Sequence, residues 1–155
     1  MLKIGDKMPE FKLANQEGEI INSKDLLKLK KKILIYFYPK DDTPGCTTEA
    51  CGFRDFRFEL QDKGVEILGI SKDSVKAHKK FQEKYKLNFT LLSDESTEII
   101  KKFGAWQEKS MYGKKYFGTA RISYLFSEKG IVEKVYRKVS TKEHEHAKEI
   151  LRYVG

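Results

Sequence analysis

"KILIYFYPKDDTPGCTTEAC", residues 32–51, contains both cysteines of the chain, Cys46 and Cys51, and the change of pattern that decides the fold. "KILIYFY" (residues 32–38) is apolar on both faces and rich in Ile and aromatic residues. That pattern predicts a strand buried inside a sheet. Pro39 stops it. From Pro44 to Asp62 the period becomes helical: Cys46, Ala50, Phe53, Phe56 and Leu60 recur at spacings of four, three, three and four, which puts them on one face. Lys63-Gly64 closes this helix. Strand, polar loop and helix therefore follow one another, with a cysteine at the start of the helix.

The alternation continues along the chain. "VEILGI" (residues 65–70) reads as a strand and "DSVKAHKKFQEKY" (residues 73–85) as a helix capped by Asp73 or Ser74. "FTLLSD" (residues 89–94) is a strand and "STEIIKKFG" (residues 96–104) a short helix. "RISYLFS" (residues 121–127) and "IVEKVYRKV" (residues 131–139) are strands joined by "EKG", a hairpin signal, and residues 141–154 form a closing helix. Residues 10–22 are expected to form a small hairpin across "NQEG". The order predicts an α/β fold of three layers with a mixed central sheet flanked by helices. At 155 residues it is expected to be a single domain, residues 1–155.

Composition narrows the classes. Hydrophobic residues make up 39% of the chain, enough for a core. There is no apolar run near 18 residues and no leader-like h-region, so a cytoplasmic protein without a membrane association is expected. The net charge is +8, but the lysines are scattered among 23 acidic residues. The one cluster, "KLKKK" (residues 28–32), precedes a strand as a solvated turn. Nucleic-acid binding, which wants clustered cations and exposed aromatics, is the weaker alternative.

The cysteines fit neither a zinc pattern nor C-x-x-C, and the histidines lie far away in sequence, His144 and His146 on the closing helix. An inert buried cysteine is the bland alternative. The position of Cys46 argues against it. Thr43 suits the N-cap and Pro44 the first helical position, which leaves Cys46 in the first turn. There the free backbone N–H groups and the positive end of the helix dipole favour a thiolate. Gly45 allows close approach to the backbone. Cys46 is therefore a candidate nucleophile at the C-terminal end of a sheet strand, where open α/β folds bind ligands.

"YPKDDTPGCTTEAC" resembles the peroxiredoxin active-site motif P-x-x-x-[TS]-x-x-C, met here by Pro39, Thr43 and Cys46. The second cysteine five residues on resembles the bacterioferritin-comigratory, or PrxQ, branch. "LKIGDKMPEFKLANQEGE" resembles the family's N-terminal hairpin, and "KSMYGKKYFGTARISYLF" its segment leading to the active-site arginine, at Arg121. The resemblance covers nearly the whole chain. It implies a thioredoxin-like fold and a peroxidase that uses no metal or other cofactor. The implied substrates are hydrogen peroxide and organic hydroperoxides, the implied partner is thioredoxin or a similar dithiol reductant, and a monomer is expected rather than a dimer.

By the same resemblance Cys46 would attack the peroxide and become a sulfenic acid. Arg121 would stabilise the thiolate and the departing oxygen. Thr43 would offer its hydroxyl, and Pro39 would shape the loop and shield the thiolate. Antiparallel pairing of strand 121–127 with strand 32–38 would bring Arg121 beside the loop. Glu49, one turn beyond Cys46, either holds Arg121, shuttles a proton, or serves only the helix dipole. Arg54 is expected in a salt bridge. Trp106 and Tyr116 are expected in a loop, either packing or lining the entrance.

Cys51 would be the resolving thiol. Five residues of α-helix separate the Cα atoms by roughly 8.5–9 Å, whereas a disulfide needs them within about 7 Å. Joining the two requires the first turns to unwind. Gly52 weakens the helix there. A general dithiol–disulfide oxidoreductase on the same fold is the other enzyme class considered. It would want C-x-x-C and would need neither Thr43 nor Arg121.

Overall fold

The computed structural model describes residues 1–155. In chain order the elements are β1 (Lys12–Asn15), β2 (Ile20–Asn22), α1 (Ser23–Leu27), β3 (Lys32–Phe37), α2 (Pro44–Asp55), α3 (Arg57–Asp62), β4 (Val65–Ser71), α4 (Val75–Tyr85), β5 (Thr90–Ser93), α5 (Glu98–Lys102), β6 (Trp106–Met111), β7 (Lys114–Thr119), β8 (Ser123–Phe126), β9 (Val132–Tyr136) and α6 (Glu145–Val154). Seven strands form one mixed sheet in the order β2-β1-β5-β4-β3-β8-β9. β3 lies parallel to β4 and antiparallel to β8.

The two apolar faces of β3 explain the layers. Ile33, Ile35 and Phe37 enter one core cluster, and Leu34 and Tyr36, with Tyr38 just beyond the strand, enter the other. The first is covered by α1 and α5 through Leu26, Leu27, Ile99 and Ile100. The second is covered by α2, α3, α4 and α6 through Ala50, Phe53, Leu60, Phe81 and Ile150. The N-terminal hairpin forms as expected, with Lys12 opposite Asn22. No helix is long and apolar enough to cross a membrane.

Three boundaries differ from expectation. The helix over residues 44–62 is broken at Phe56, whose φ of −105° and ψ of 13° leave the helical region. The buried stripe continues across the break because Cys46, Ala50, Phe53 and Leu60 all face the core. Phe56 itself packs edge-on against His144, with centroids 5.1 Å apart. The closing helix starts at Glu145, not Thr141, because His144 has a φ of +61°, which no right-handed helix accommodates.

Finally, Trp106 and Tyr116 do not sit in a loop. β6 and β7 pair as a hairpin, turning at Tyr112-Gly113, where φ is +51° and +77°. Positive φ at both central residues is the signature of a tight hairpin turn.

Gly69 sits opposite Tyr36 in the β3–β4 register. A Cβ there would lie 2.8 Å from Tyr36 Cζ and 2.9 Å from its hydroxyl, and Tyr36 is fully buried. Gly69→Ala is therefore expected to lower unfolding stability by about 1–3 kcal/mol, as measured by urea titration.

Candidate active site

β3 delivers the chain to a loop held by two consecutive aspartates. Asp41 turns inward: one carboxylate oxygen accepts from the Tyr38 hydroxyl at 2.6 Å, and the other meets His78 Nδ1 at 2.6 Å. Its backbone N–H donates to Asp73 at 3.0 Å, and Asp73 also accepts from Ser71 Oγ at 2.6 Å. His78 Nε2 lies 2.9 Å from the Leu92 carbonyl, which can only accept, so this nitrogen carries a proton.

Asp42 turns outward in the left-handed region, with φ +59°, a conformation Asp tolerates. Its carboxylate accepts from Lys84 at 2.7 Å and from the Tyr85 hydroxyl at 2.6 Å. The Lys84 hydrogen bond, helped by Tyr85, lowers the Asp42 pKa from its ordinary value. Both aspartates thus tie the loop to α4. Asp41, Asp73 and His78 are also the one group whose potential metal-ligand atoms converge, within 4.8 Å. Those atoms are joined to one another and to the loop by the hydrogen bonds just described.

Thr43 is the N-cap residue of α2 and Pro44 its first helical residue, as expected. The Thr43 hydroxyl, however, makes no capping bond. It donates to the Lys40 carbonyl at 2.8 Å, because the loop brings that acceptor closer than any helix N–H. Its lone pairs stay free to accept. Pro39 is half-buried where β3 gives way to the loop.

Cys46 follows in the first turn and is only 1% exposed. The antiparallel β3–β8 pairing, extended by a 2.8 Å bond from Phe37 N–H to the Ile122 carbonyl, sets Arg121 beside it. Arg121 Nη2 donates to Cys46 Sγ at 3.2 Å, and Nη1 donates to Glu49 Oε1 at 2.8 Å. Helix start and guanidinium together oppose one sulfur with two sources of positive charge. A Cβ at residue 45 would lie 3.4 Å from Arg121 Nη2 and 3.3 Å from Thr141 Cγ2, so Gly45 leaves room for the guanidinium.

Glu49 has a side chain with no exposed surface. Burial pushes its carboxyl up to about 7, and the charge of Arg121 partly offsets that. Its second oxygen has no hydrogen-bond partner.

Cys51 stands apart. It is a free, half-buried thiol on the same helix, bordering a cleft of about 340 Å³ lined by Thr47, Thr48, Arg54, Asp55 and His144. Burial raises its pKa above the ordinary value, against the pull of Arg54. Gly52 does more than loosen the helix: a Cβ there would lie 3.4 Å from His144 Cα, so the glycine lets the start of α6 lean on α2. His144 Nε2 and Asp55 also meet at 2.7 Å. Arg54 pairs with Asp55 at 2.9 Å and donates to the Tyr85 carbonyl, the structural role expected of it.

Cys46, Arg121 and Glu49 therefore form one connected cluster, with Thr43 and Pro39 flanking it and Cys51 outside. The aspartate anchors have no signal in the motif. Only the adjacent pair Asp41-Asp42 marks the loop as more than solvent-facing. A surface groove of about 690 Å³ is lined by Lys76, Lys79 and Glu83 and does not touch Cys46. The chemistry is located by the thiol and guanidinium, not by cavity size.

A thioredoxin-like sheet with a thiol at a helix start, held by a guanidinium, defines a thiol-dependent peroxidase of the peroxiredoxin class. The chain belongs to the AhpC/TSA family, whose model matches residues 4–135. It is 48% identical over 143 residues to the peroxiredoxin Bcp of Escherichia coli, covering 92% of this chain and 90% of the relative. Among solved structures it is similar to PrxQ of Xylella fastidiosa, with a TM-score of 0.90, 29% identity and coverage of 99% and 96% of the two chains. The bacterioferritin comigratory protein of Xanthomonas campestris, studied for alkyl peroxide reduction, superposes with a TM-score of 0.85 at 36% identity, covering 93% and 89%.

Because Glu49 holds its proton more tightly in the folded protein than in the unfolded chain, its contribution to stability is fully present below about 4.5 and is lost as pH rises through about 7. Glu49→Gln does not titrate. Urea unfolding at pH 5 and pH 8 is expected to show the variant gaining on wild type at the higher pH.

Proposed function

We propose that Cys46 is the peroxidatic thiolate of this enzyme, acting on hydrogen peroxide and organic hydroperoxides, and that Cys51 resolves it within the same chain. The observation that carries this is the Arg121 guanidinium donating to the Cys46 sulfur at the start of α2. The sulfur attacks the terminal peroxide oxygen, an S–O bond forms and the O–O bond breaks. The oxygen of the leaving alkoxide or hydroxide takes a proton, and Cys46 becomes a sulfenic acid. Arg121 supplies fixed donors to the charge that develops on oxygen. Glu49 fixes the guanidinium through Nη1. Thr43, with its proton committed to Lys40, presents an acceptor to the peroxide O–H, and Pro39 shapes the approach.

Resolution follows. The Cys51 sulfur attacks Cys46, the S–O bond breaks, water leaves, and an intramolecular disulfide remains. An intact α2 keeps the two Cα atoms roughly 8.5–9 Å apart, beyond the reach of a disulfide of about 7 Å. The raised pKa of Cys51 also makes it a poor nucleophile while it stays packed. Unwinding removes both obstacles: it brings the sulfurs together and exposes Cys51 to water. The disulfide is then open to a thioredoxin-type dithiol. Both thiols lie on one helix, so the cycle is complete in a monomer, and a reducing cytoplasm suits it.

Cys46→Ser is expected to abolish peroxide consumption. Cys51→Ser should form the sulfenic acid at the wild-type rate yet lose thioredoxin-supported turnover. Arg121→Ala should slow the first step by about 100-fold or more. Hydrogen exchange after one equivalent of peroxide should show lost protection across residues 46–53 of wild type. Unchanged protection there would contradict the unwinding.

A further inference from the structure

His144 is the N-cap residue of α6, yet its side chain makes no bond to that helix. It reaches α2 instead. His144 Nε2 and Asp55 Oδ2 lie 2.7 Å apart. A carboxylate only accepts, so the imidazole donates. Hydrogen bonds from Arg54 and His144 hold the Asp55 carboxyl below its ordinary pKa. The Phe56 ring, edge-on to the imidazole, backs it from the end of α2. Gly52 brings α2 against the same residue: a Cβ there would lie 3.4 Å from His144 Cα and 3.9 Å from Cδ2 of the ring. Cys51, Gly52, Asp55 and His144 line one cleft.

These contacts fall on the stretch that resolution has to undo. Cys51 precedes Gly52, and Asp55 ends α2. Glu49 is tied to Arg121 and Arg54 to the Tyr85 carbonyl of α4. Asp55 is tied to the start of α6, which takes no part in the chemistry. His144 also holds a φ of +61°, uncommon for a residue with a Cβ, so its conformation is fixed by what it touches.

We propose that His144 is a positioning residue for the second half of the cycle, a latch whose release from Asp55 and Gly52 lets α2 unwind and sets the rate at which Cys51 meets Cys46. The proposal rests on Cys51 being the resolving thiol. Closed, the latch keeps α2 helical and Cys46 against Arg121 for attack on the peroxide. Open, it lets the Cys51 sulfur reach the Cys46 sulfenic acid. An S–S bond forms, the S–O bond breaks, and the hydroxyl leaves as water with the Cys51 proton. A sulfenic acid that waits behind a closed latch is open to a second hydroperoxide. That peroxide passes one oxygen to the sulfur, leaves as water or alcohol, and gives the sulfinic acid. The latch therefore sets both the speed of resolution and the sensitivity of Cys46 to excess peroxide.

The test measures the two steps separately. Wild type and variants are mixed with one equivalent of hydrogen peroxide and quenched with acid at intervals, and the Cys46 sulfenic acid and the Cys46–Cys51 disulfide are counted by mass spectrometry. Glycine accepts a positive φ without strain, so His144→Gly removes the imidazole and spares the backbone. Sulfenic acid formation should match wild type, which also shows that the variant is folded. Disulfide formation should be about three- to fivefold faster, the size of one half-exposed ion pair. The peroxide dose that drives Cys46 to sulfinic acid should rise in the same direction. Asp55→Ala should speed the same step, and the double variant should fall short of the product of the two single effects, because both residues act through one contact.

A disulfide rate unchanged or slowed in His144→Gly, single effects that simply multiply, or a first step that falls with the substitution would each overturn the proposal. Wild type that forms no Cys46–Cys51 disulfide would overturn the Cys51 reading and the proposal with it, and the two failures are therefore told apart.

Discussion

One guanidinium joins the parts of this site. Arg121 gives one nitrogen to the Cys46 sulfur and another to the Glu49 carboxylate. Without that cation, Glu49 would be a buried carboxylate with no side-chain hydrogen-bond partner, an arrangement that costs several kcal/mol. The same cation that favours a sulfur anion therefore makes it tolerable to pack α2 against the start of β8. Gly45 is the local consequence, since the guanidinium and Thr141 fill the space a side chain would take.

The loop on the other side of the thiol is held by different means. Asp41 reaches inward to Tyr38 and His78, and Asp42 reaches outward to Lys84 and Tyr85. Through the Leu92 carbonyl and Ser71, the inward anchor extends to β5 and β4. Cys46 thus sits at a boundary. The loop before it is fastened to α4 and the sheet, while the helix after it contains a glycine that packs by close approach instead of side-chain burial.

How much of this is legible in the sequence follows from how local each signal is. The apolar faces of residues 32–38 and the Thr43-Pro44 helix start depend on neighbours in the chain, and they read correctly. Arg121 is legible only by resemblance to a motif, since its 75-residue separation from Cys46 is closed by strand pairing. The β6–β7 hairpin is hidden because "WQEKSM" lacks the apolar alternation of a half-buried strand. It faces solvent along most of its length and is held largely by its own backbone ladder. The Thr43 hydroxyl deceives for another reason. Two acceptable partners compete for it, and the tertiary placement of Lys40 decides between them.

The interruption at Phe56 sets the size of what can come apart. Helix formation is cooperative, so a single rod from Pro44 to Asp62 would spread any disturbance at its start toward Leu60 and the strand it covers. Two shorter segments with a non-helical residue between them isolate the thiol-bearing part from the rest of the core. Phe56, pressed against His144, acts as a firebreak: under the proposed cycle the first segment melts and refolds in each round while α3 keeps its grip on β4.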